Sequence, residues 1–545
     1  MKRSIIAIFL IVLLTGCAAI PASGPLEVID TQVESDDEFV RVIAKPPVAG
    51  MSEIDIVQGF ITAISDASND YSIARQYLAA DVSVQWNPEG ILVFDSSSVA
   101  FRNVAVNRVE VRGNAVGEIT KFNRLRIFEQ TRPFTQTFRL DDINSQKRIA
   151  KRPEVTLISY GNLIRSYSGY SLYFVDEALE FLAPEAVWLP DFSSGVETRL
   201  VREIITGPKS QLKTAIPEGL ELEFDSVGYE DSNLTVRLRY TSGSTAENQR
   251  NLFLAQLVWT LTQLPDTDVV RIFINSQPVR VNNTIDLSRS LFNEFTQERS
   301  PNALPLFVSA NDSLLRGDET GVSEISQIAP LSSMSITKDL SLFAGIRGQR
   351  AFVSTNLSFS NPQQVADSVR AVDFDNRLRL WMVMQQGGLK VWLASSSITR
   401  DVELPDDRKV IAFSPASDAA RAAIVLQTPS GGQLRLVNIN QQGTNLRVID
   451  YRKVERFFAD IYDVDWITAN ELAVLGRVGV EQPEIYILNV TTGDIRRLGG
   501  PTGITEVFAG FELPIYVLSE FGQYWVYANR EWILQGEAFT IALVG

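Results

Sequence analysis

Residues 462–499 read "YDVDWITANELAVLGRVGVEQPEIYILNVTTGDIRRLG". Four short strand-like segments stand out within it: "YDVDW", "ELAVLG", "EIYILN" and, after the turn "TTGD", "IRRLG". Short apolar runs bounded by turn residues read as strands, and Thr-Thr-Gly-Asp is turn chemistry. The preceding stretch repeats the scheme as "KVIAFS", "AAIVLQ", "QLRLVN" and "NLRVID". Phe413 and Trp466 are read as equivalent places 53 residues apart, with "YRKVERFFAD" as an insertion between the units. Weaker starts of the same unit lie near Met334, Val372 and Thr505. Four-strand units recurring at about 40 to 50 residues predict a β-propeller over 300–545. Five units are legible. A sixth, needed for closure, would combine strands near Leu306 with the C-terminal "QYWVYANREWIL". A blade cannot bury both its faces alone, so the ring is the stable unit.

Working toward the N-terminus, residues 195–285 change character. "ETRLVREIITGPKSQL" reads as a helix stopped by Gly207-Pro208. Leu220, Leu222 and Phe224 alternate on one strand, and Leu234, Val236 and Leu238 on the next, across the turn "EDSN". "AENQRNLFLAQLVWTLTQLP" is a helix burying Leu252, Ala255, Leu257, Val258, Leu261 and Leu264, and "VVRIFINSQPV" returns as a strand. This predicts a small α/β sandwich. Residues 49–190 predict an α+β module. It has two helices, in "SEIDIVQGFITAIS" with Ser52 as N-cap and in "DYSIARQYLA", then an antiparallel sheet from Val82 to about Trp188.

The first residues have a separate logic. Lys2 and Arg3 precede ten apolar residues, Ile5 to Leu14. As a helix these would span about 15 Å, half of a bilayer core, which is the length of a signal-peptide core rather than of a stable span. Leu14-Thr15-Gly16-Cys17 matches the lipobox of bacterial lipoproteins, and Cys17 is the chain's only cysteine. In that pattern residues 1–16 are removed by cleavage between Gly16 and Cys17. The Cys17 sulfur carries a diacylglyceryl group, its freed amine an acyl chain such as palmitate, and residues 17–48 form a tether. More than one acyl chain anchors a protein far more firmly than a single chain does. The expected location is the extracytoplasmic face of the cell membrane.

Composition removes several functions. The 545 residues carry a net charge of −15 with no basic run, which argues against nucleic acid as a partner. There is no histidine, so Ser-His-Asp and Cys-His devices are impossible and His-based zinc sites are excluded. No P-loop or dinucleotide fingerprint is present, and no cofactor is expected. Four patterns remain to be weighed. Ser210-Gln211-Leu212-Lys213 and Ser335-Ile336-Thr337-Lys338 fit S-x-x-K, without the partner motifs that penicillin-binding enzymes require. Asp373-Phe374-Asp375-Asn376 opens like a calcium loop, but Arg377 stands where an oxygen ligand is needed, so a turn is the preferred reading. Asp463 and Asp465 share one face of a strand and could serve acid/base hydrolysis. Tyr160, Tyr167, Tyr170, Tyr173 and Phe174 could form an aromatic platform for glycan, against the plainer reading of strand residues packing a sheet. No residue is assigned a catalytic, cofactor-binding or metal-binding role.

Taken in order, "GCAAIPASGP", "LYFVDEALEFLAPEAVWLP", "GPKSQLKTAIPEGL" and "LAQLVWTLTQLPDTDVVRIFI" resemble the LpqB family of actinobacterial lipoproteins over essentially the whole chain. The resemblance implies an N-terminal module, a GerMN domain and a propeller, the last being the most divergent part. It implies no reaction. It implies a partner: the extracytoplasmic domain of an MtrB-like sensor histidine kinase of the MtrA–MtrB two-component system, which governs cell-wall and division responses. The expectation is a non-enzymatic accessory lipoprotein, with a cell-wall glycan (peptidoglycan) receptor as the alternative. Only Cys17 transfers as a functional position.

Overall fold

A computed structural model describes residues 44–191, 195–240, 247–296, 306–318, 321–443, 445–511 and 513–543. The signal segment, Cys17 and nearly all of the tether lie outside the described residues.

The N-terminal module opens with helix Glu53–Ala63. Ser52 caps it as expected, and Asp55 completes a capping box by accepting from the Ser52 backbone N–H. Helices Ser68–Gln76 and Ala80–Gln85 follow. The second of these corrects the expectation of a strand from Val82, which is buried on one helical face. The sheet runs in the order 146–149, 125–143, 108–119, 91–94 and 156–159, with 100–105 also pairing to 108–119. It is not wholly antiparallel, because Ile91–Phe94 pairs parallel to Thr156–Ser159. Phe60, Trp86, Phe138 and Leu140 sit in its core. A further helix, Tyr160–Ser166, was not anticipated. Ser159 caps it through the Asn162 N–H.

The next boundary differs from the sequence reading. Strands Tyr167–Val175 and Leu182–Pro190 form a hairpin of their own. Leu172, Phe174, Val175, Val187 and Leu189 pack into the core of the second domain rather than the first. That core explains helix Glu247–Leu261, in which every residue from Leu252 to Leu261 is buried, more than a single apolar stripe would bury. One side meets the sheet ordered 277–278, 270–274, 233–240 and 220–230, and the hairpin covers the other. The polar residues on the covered side are satisfied: Gln256 accepts from the Ala215 N–H and donates to the Tyr173 carbonyl, and Thr260 accepts from the Tyr173 N–H. Helix Val196–Thr206 ends at Gly207, where φ is +87°.

Six four-stranded sheets follow. Blades 2 to 6 start at Met334, Val369, Val410, Asp460 and Ile504. Blade 1 is composite: Leu306–Ala310, Ser313–Asp318 and Gly321–Gln327 are completed by Thr540–Leu543, which pairs with the first of them and lies innermost. The sequence expectation of a sixth blade was right in kind but named the wrong closing segment. "QYWVYANREWIL" supplies the outer two strands of blade 6, Gln523–Ala528 and Glu531–Glu537.

Candidate functional site

The innermost strands of blades 3 to 6 each carry a β-bulge near their start, at Val369/Ala371, Val410/Ala412, Ile461/Asp463 and Ile504/Glu506. The bulges set a common register. Asp373, Ser414 and Asp465 hold one position, and Asp463 and Glu506 another. Phe413 therefore corresponds to Val464, not to Trp466 as the sequence spacing indicated.

Asp463, Asp465, Asp373 and Glu506 line a central channel of about 300 Å³ together with Ser335, Ser414 and Arg370. Lys338 stands at a neighbouring depression. The inner edge of a propeller's first strand has no partner strand, so its N–H groups need acceptors from elsewhere. Side chains of the preceding blade provide them. Ser333 Oγ accepts from Val372 N at 3.2 Å and Ser335 Oγ from Phe374 N at 2.9 Å. Asp463 Oδ2 accepts from Val507 N at 2.9 Å and Asp465 Oδ2 from Ala509 N at 2.8 Å. Ser-x-Ser joins blade 2 to blade 3, and Asp-x-Asp joins blade 5 to blade 6, by the same geometry. The remaining Asp465 oxygen takes Ser414 Oγ at 2.8 Å and the Trp466 N–H at 2.9 Å.

The carboxylates the sequence singled out are thus engaged in holding the ring. Burial carries Asp463 and Asp373 well above the usual carboxylate range, Asp465 to about 6 and Glu506 to about 7. Arg370 is the cation in this lining, and it donates to the Val410 carbonyl at 3.1 Å and to that of Ile411. Glu506 and Arg370 were not foreseen. The bulge that aligns Glu506 with Asp463 leaves no signature in a single sequence.

The other candidates resolve similarly. Ser335 spends its hydroxyl on Asp373 and Phe374, so the second S-x-x-K is a blade link. The first lies on a non-helical segment. Its Ser210 N–H donates to Glu185 and its Lys213 is bridged to Val175 through the backbone, so the two side chains do not share one helical turn. In the calcium-like loop, Asp375 is saturated by Arg377 N, Arg379 N, Arg379 Nε and Trp381 Nε1. Among the tyrosines, Tyr167 is buried with its hydroxyl 2.9 Å from that of Tyr71. Tyr173 packs on Trp259 with centroids 5.4 Å apart, and Phe174 is fully buried. Tyr167 enters the core of the first module while Tyr170, Tyr173 and Phe174 pack into that of the second, so the five rings form no common platform.

The modules are locked to the propeller. Arg435 pairs with Glu129, and Arg377 with Asp176 and Glu180. Ser171 Oγ lies 3.1 Å from Thr491 Oγ1 and from Asn470 Oδ1. No helix among the described residues is long and apolar enough to cross a membrane.

Comparison with known proteins agrees with this order of domains. Residues 46–163 match the family described as lipoprotein LpqB, N-terminal domain, and residues 171–280 that described as sporulation and spore germination. The second match begins inside the hairpin that packs into the second core. Lipoprotein LpqB of Cutibacterium acnes is 24% identical over 525 residues, covering 87% of this chain and 86% of that protein. Lipoprotein LpqB of Streptomyces avermitilis is 22% identical over 587 residues, covering 96% and 94%. TolB from Acinetobacter baumannii superposes with a TM-score of 0.34 at 13% identity, over 47% of this chain and 70% of that one. With two successive domain matches and relatives aligned over most of their length, the chain is similar throughout to the LpqB lipoproteins.

Proposed function

We propose that this protein is a non-enzymatic accessory lipoprotein, held at the extracytoplasmic face of the cell membrane through Cys17. Its locked three-module body tunes a sensor histidine kinase of the MtrB type by contact with the kinase's extracytoplasmic domain. The observation that carries the reading is the use of the candidate reactive side chains. Asp463, Asp465 and Ser335 each hold a backbone N–H of the next blade, and Asp375 holds an arginine and a tryptophan. What remains is a rigid body suited to presenting surface. The names of the relatives, lipoproteins and not enzymes, support the same reading.

In-cell crosslinking of the anchored protein followed by mass spectrometry tests it. A sensor-kinase ectodomain enriched above background supports the proposal. Enrichment of glycan fragments or wall enzymes alone overturns it in favour of a cell-wall glycan receptor. The anchor is tested separately: Cys17→Ala should shift the protein out of the membrane fraction or leave an uncleaved precursor. A variant that fractionates and migrates like the parent would remove Cys17 from the account.

A further inference from the structure

Between the N-terminal sheet, the hairpin with its following loop, and blade 4 lies a cavity of about 510 Å³. Seven basic side chains line it against three acidic ones, in a chain whose net charge is −15. The acids are already engaged. Glu185 accepts from Arg124 Nε at 2.7 Å and from the N–H groups of Lys209 and Ser210. Glu129 is taken by Arg435, and Asp450 accepts from Asn438 Nδ2 at 3.1 Å.

The cations are not all matched. Arg124 places Nε on Glu185 and Nη1 on Glu203 and the Phe122 carbonyl, but its buried Nη2 has no partner. Among the described residues the guanidinium of Arg452 has neither a hydrogen bond nor an ion pair, although it lies close to Arg421 and Arg124. Burial and the Arg421 charge hold Arg452 down to about 10. A buried donor left empty costs on the order of 1–3 kcal/mol, and more when charged. Two arginines with open donors on one cavity are therefore an arrangement that an anion would complete. Guanidinium groups match phosphate oxygens in pairs. Ile127, Phe128, Pro184 and Leu436 add an apolar part to the wall.

We propose that this cavity binds a small phosphate-bearing amphiphile, its phosphate between Arg124 Nη2 and the Arg452 guanidinium and its apolar part against Phe128 and Leu436. The site is separate from the propeller channel. It sits where all three modules meet, so occupancy would stiffen their junction.

The test uses the full folded chain after signal cleavage, with phenyl phosphate as probe, inorganic phosphate and phenol as its two halves, and calorimetry at matched ionic strength. Saturable binding of phenyl phosphate, stronger than either half alone, is expected. Arg452→Gln should weaken it about ten-fold or more, the scale of one lost charged hydrogen-bonding group. The same variant, without probe, should melt higher than the parent, because an unpaired cation close to Arg421 and Arg124 has been removed. Lys453→Gln, another cation of the lining, gives a second variant if the first misfolds and should likewise weaken binding. Phosphatidylglycerol vesicles form a separate arm. Binding to vesicles that phenyl phosphate competes away assigns the phosphate to a lipid headgroup, and binding of phenyl phosphate without vesicle binding assigns it to a soluble ligand. No saturable binding of either, or binding unchanged in Arg452→Gln, overturns the proposal.

Discussion

Arg435 of blade 4 has a side chain with no solvent-exposed surface, and its Nε donates at 2.7 Å to Glu129 on the longest strand of the N-terminal module. The guanidinium also holds the Leu434 carbonyl and Gln433 Oε1. Removing the acid strands a buried cation, while the half-exposed Glu129 lets water compensate in part. Glu129→Ala should cost roughly 1–3 kcal/mol. The loss should appear as faster hydrogen exchange in both the 125–143 strand and blade 4. Faster exchange in only one of them would mean that the pair does not couple the modules.

A second arginine device joins blade to blade. Arg379 binds Asp375 and donates Nη2 to the Ala419 carbonyl of the next blade at 2.6 Å; Arg421 binds Asp418 and reaches the Ala469 carbonyl at 2.7 Å. Arg379→Met leaves Asp375 buried and unpaired by charge, and about 3 kcal/mol of stability should be lost. Adding Asp375→Asn should restore part of it. Denaturant midpoints of the two single variants and the double variant check this, and strict additivity would refute the coupling.

Glu506 has a definite pH signature. Burial raises it from 4.5 to about 7 in the folded chain. The folded state therefore keeps a proton that the unfolded chain gives up, so stability falls as pH rises from about 4.5 to about 7 and is then level. Glu506→Gln should melt with the parent at the acid end and above it near pH 8, by roughly 3 kcal/mol. A variant that tracks the parent's pH curve throughout would show that the group is solvated.

Much of this architecture was readable, and the failures have physical causes. Short apolar runs exposed blades 4 and 5 because turn residues separate their strands. The closing strand was missed because Thr540–Leu543 is only four residues long and pairs with a segment far away in sequence. Phe413 was misaligned with Trp466 because bulges shift register without marking the residues. The hairpin was assigned to the wrong core because alternation says that a face is buried but not against what. The channel acids were legible as a pair. That the partners of Asp463 and Asp465 are the Val507 and Ala509 N–H groups was not, since backbone donors have no letter in the sequence. The Arg124–Arg452 cavity was equally invisible, because it joins three modules.

Closure of the ring can be probed at one position. Ile541 is fully buried on the closing strand opposite Val308. Ile541→Asp would bury a charge without a partner and release the strand, exposing the blade 1 edge. The expected result is loss of more than about 3 kcal/mol and cleavage by protease within blade 1. Parental resistance would show that the blade holds without its fourth strand.

Gly169 tests the contact between hairpin and propeller. A Cβ there would lie 2.4 Å from the Thr491 carbonyl oxygen, a backbone atom that cannot move aside as a side chain could. Gly169→Ala should separate the hairpin from blade 5, at about 1–3 kcal/mol. Gly161→Ala, where nothing lies within 4 Å, should be neutral. Equal melting of the two variants would refute the contact.

The composite blade has a consequence for how the chain reaches its folded form. Synthesis delivers residues in order, and the first three strands of blade 1 arrive with one long edge open while the residues of five further blades are still to come. Until Thr540–Leu543 arrives, that edge is a template for any passing strand. Assembly is therefore gated by the last segment delivered, and it is slow in the way of folds that wait on distant pairings. A holding chaperone would act on this protein chiefly during that interval, and slowing delivery of the final strand should favour aggregation over assembly.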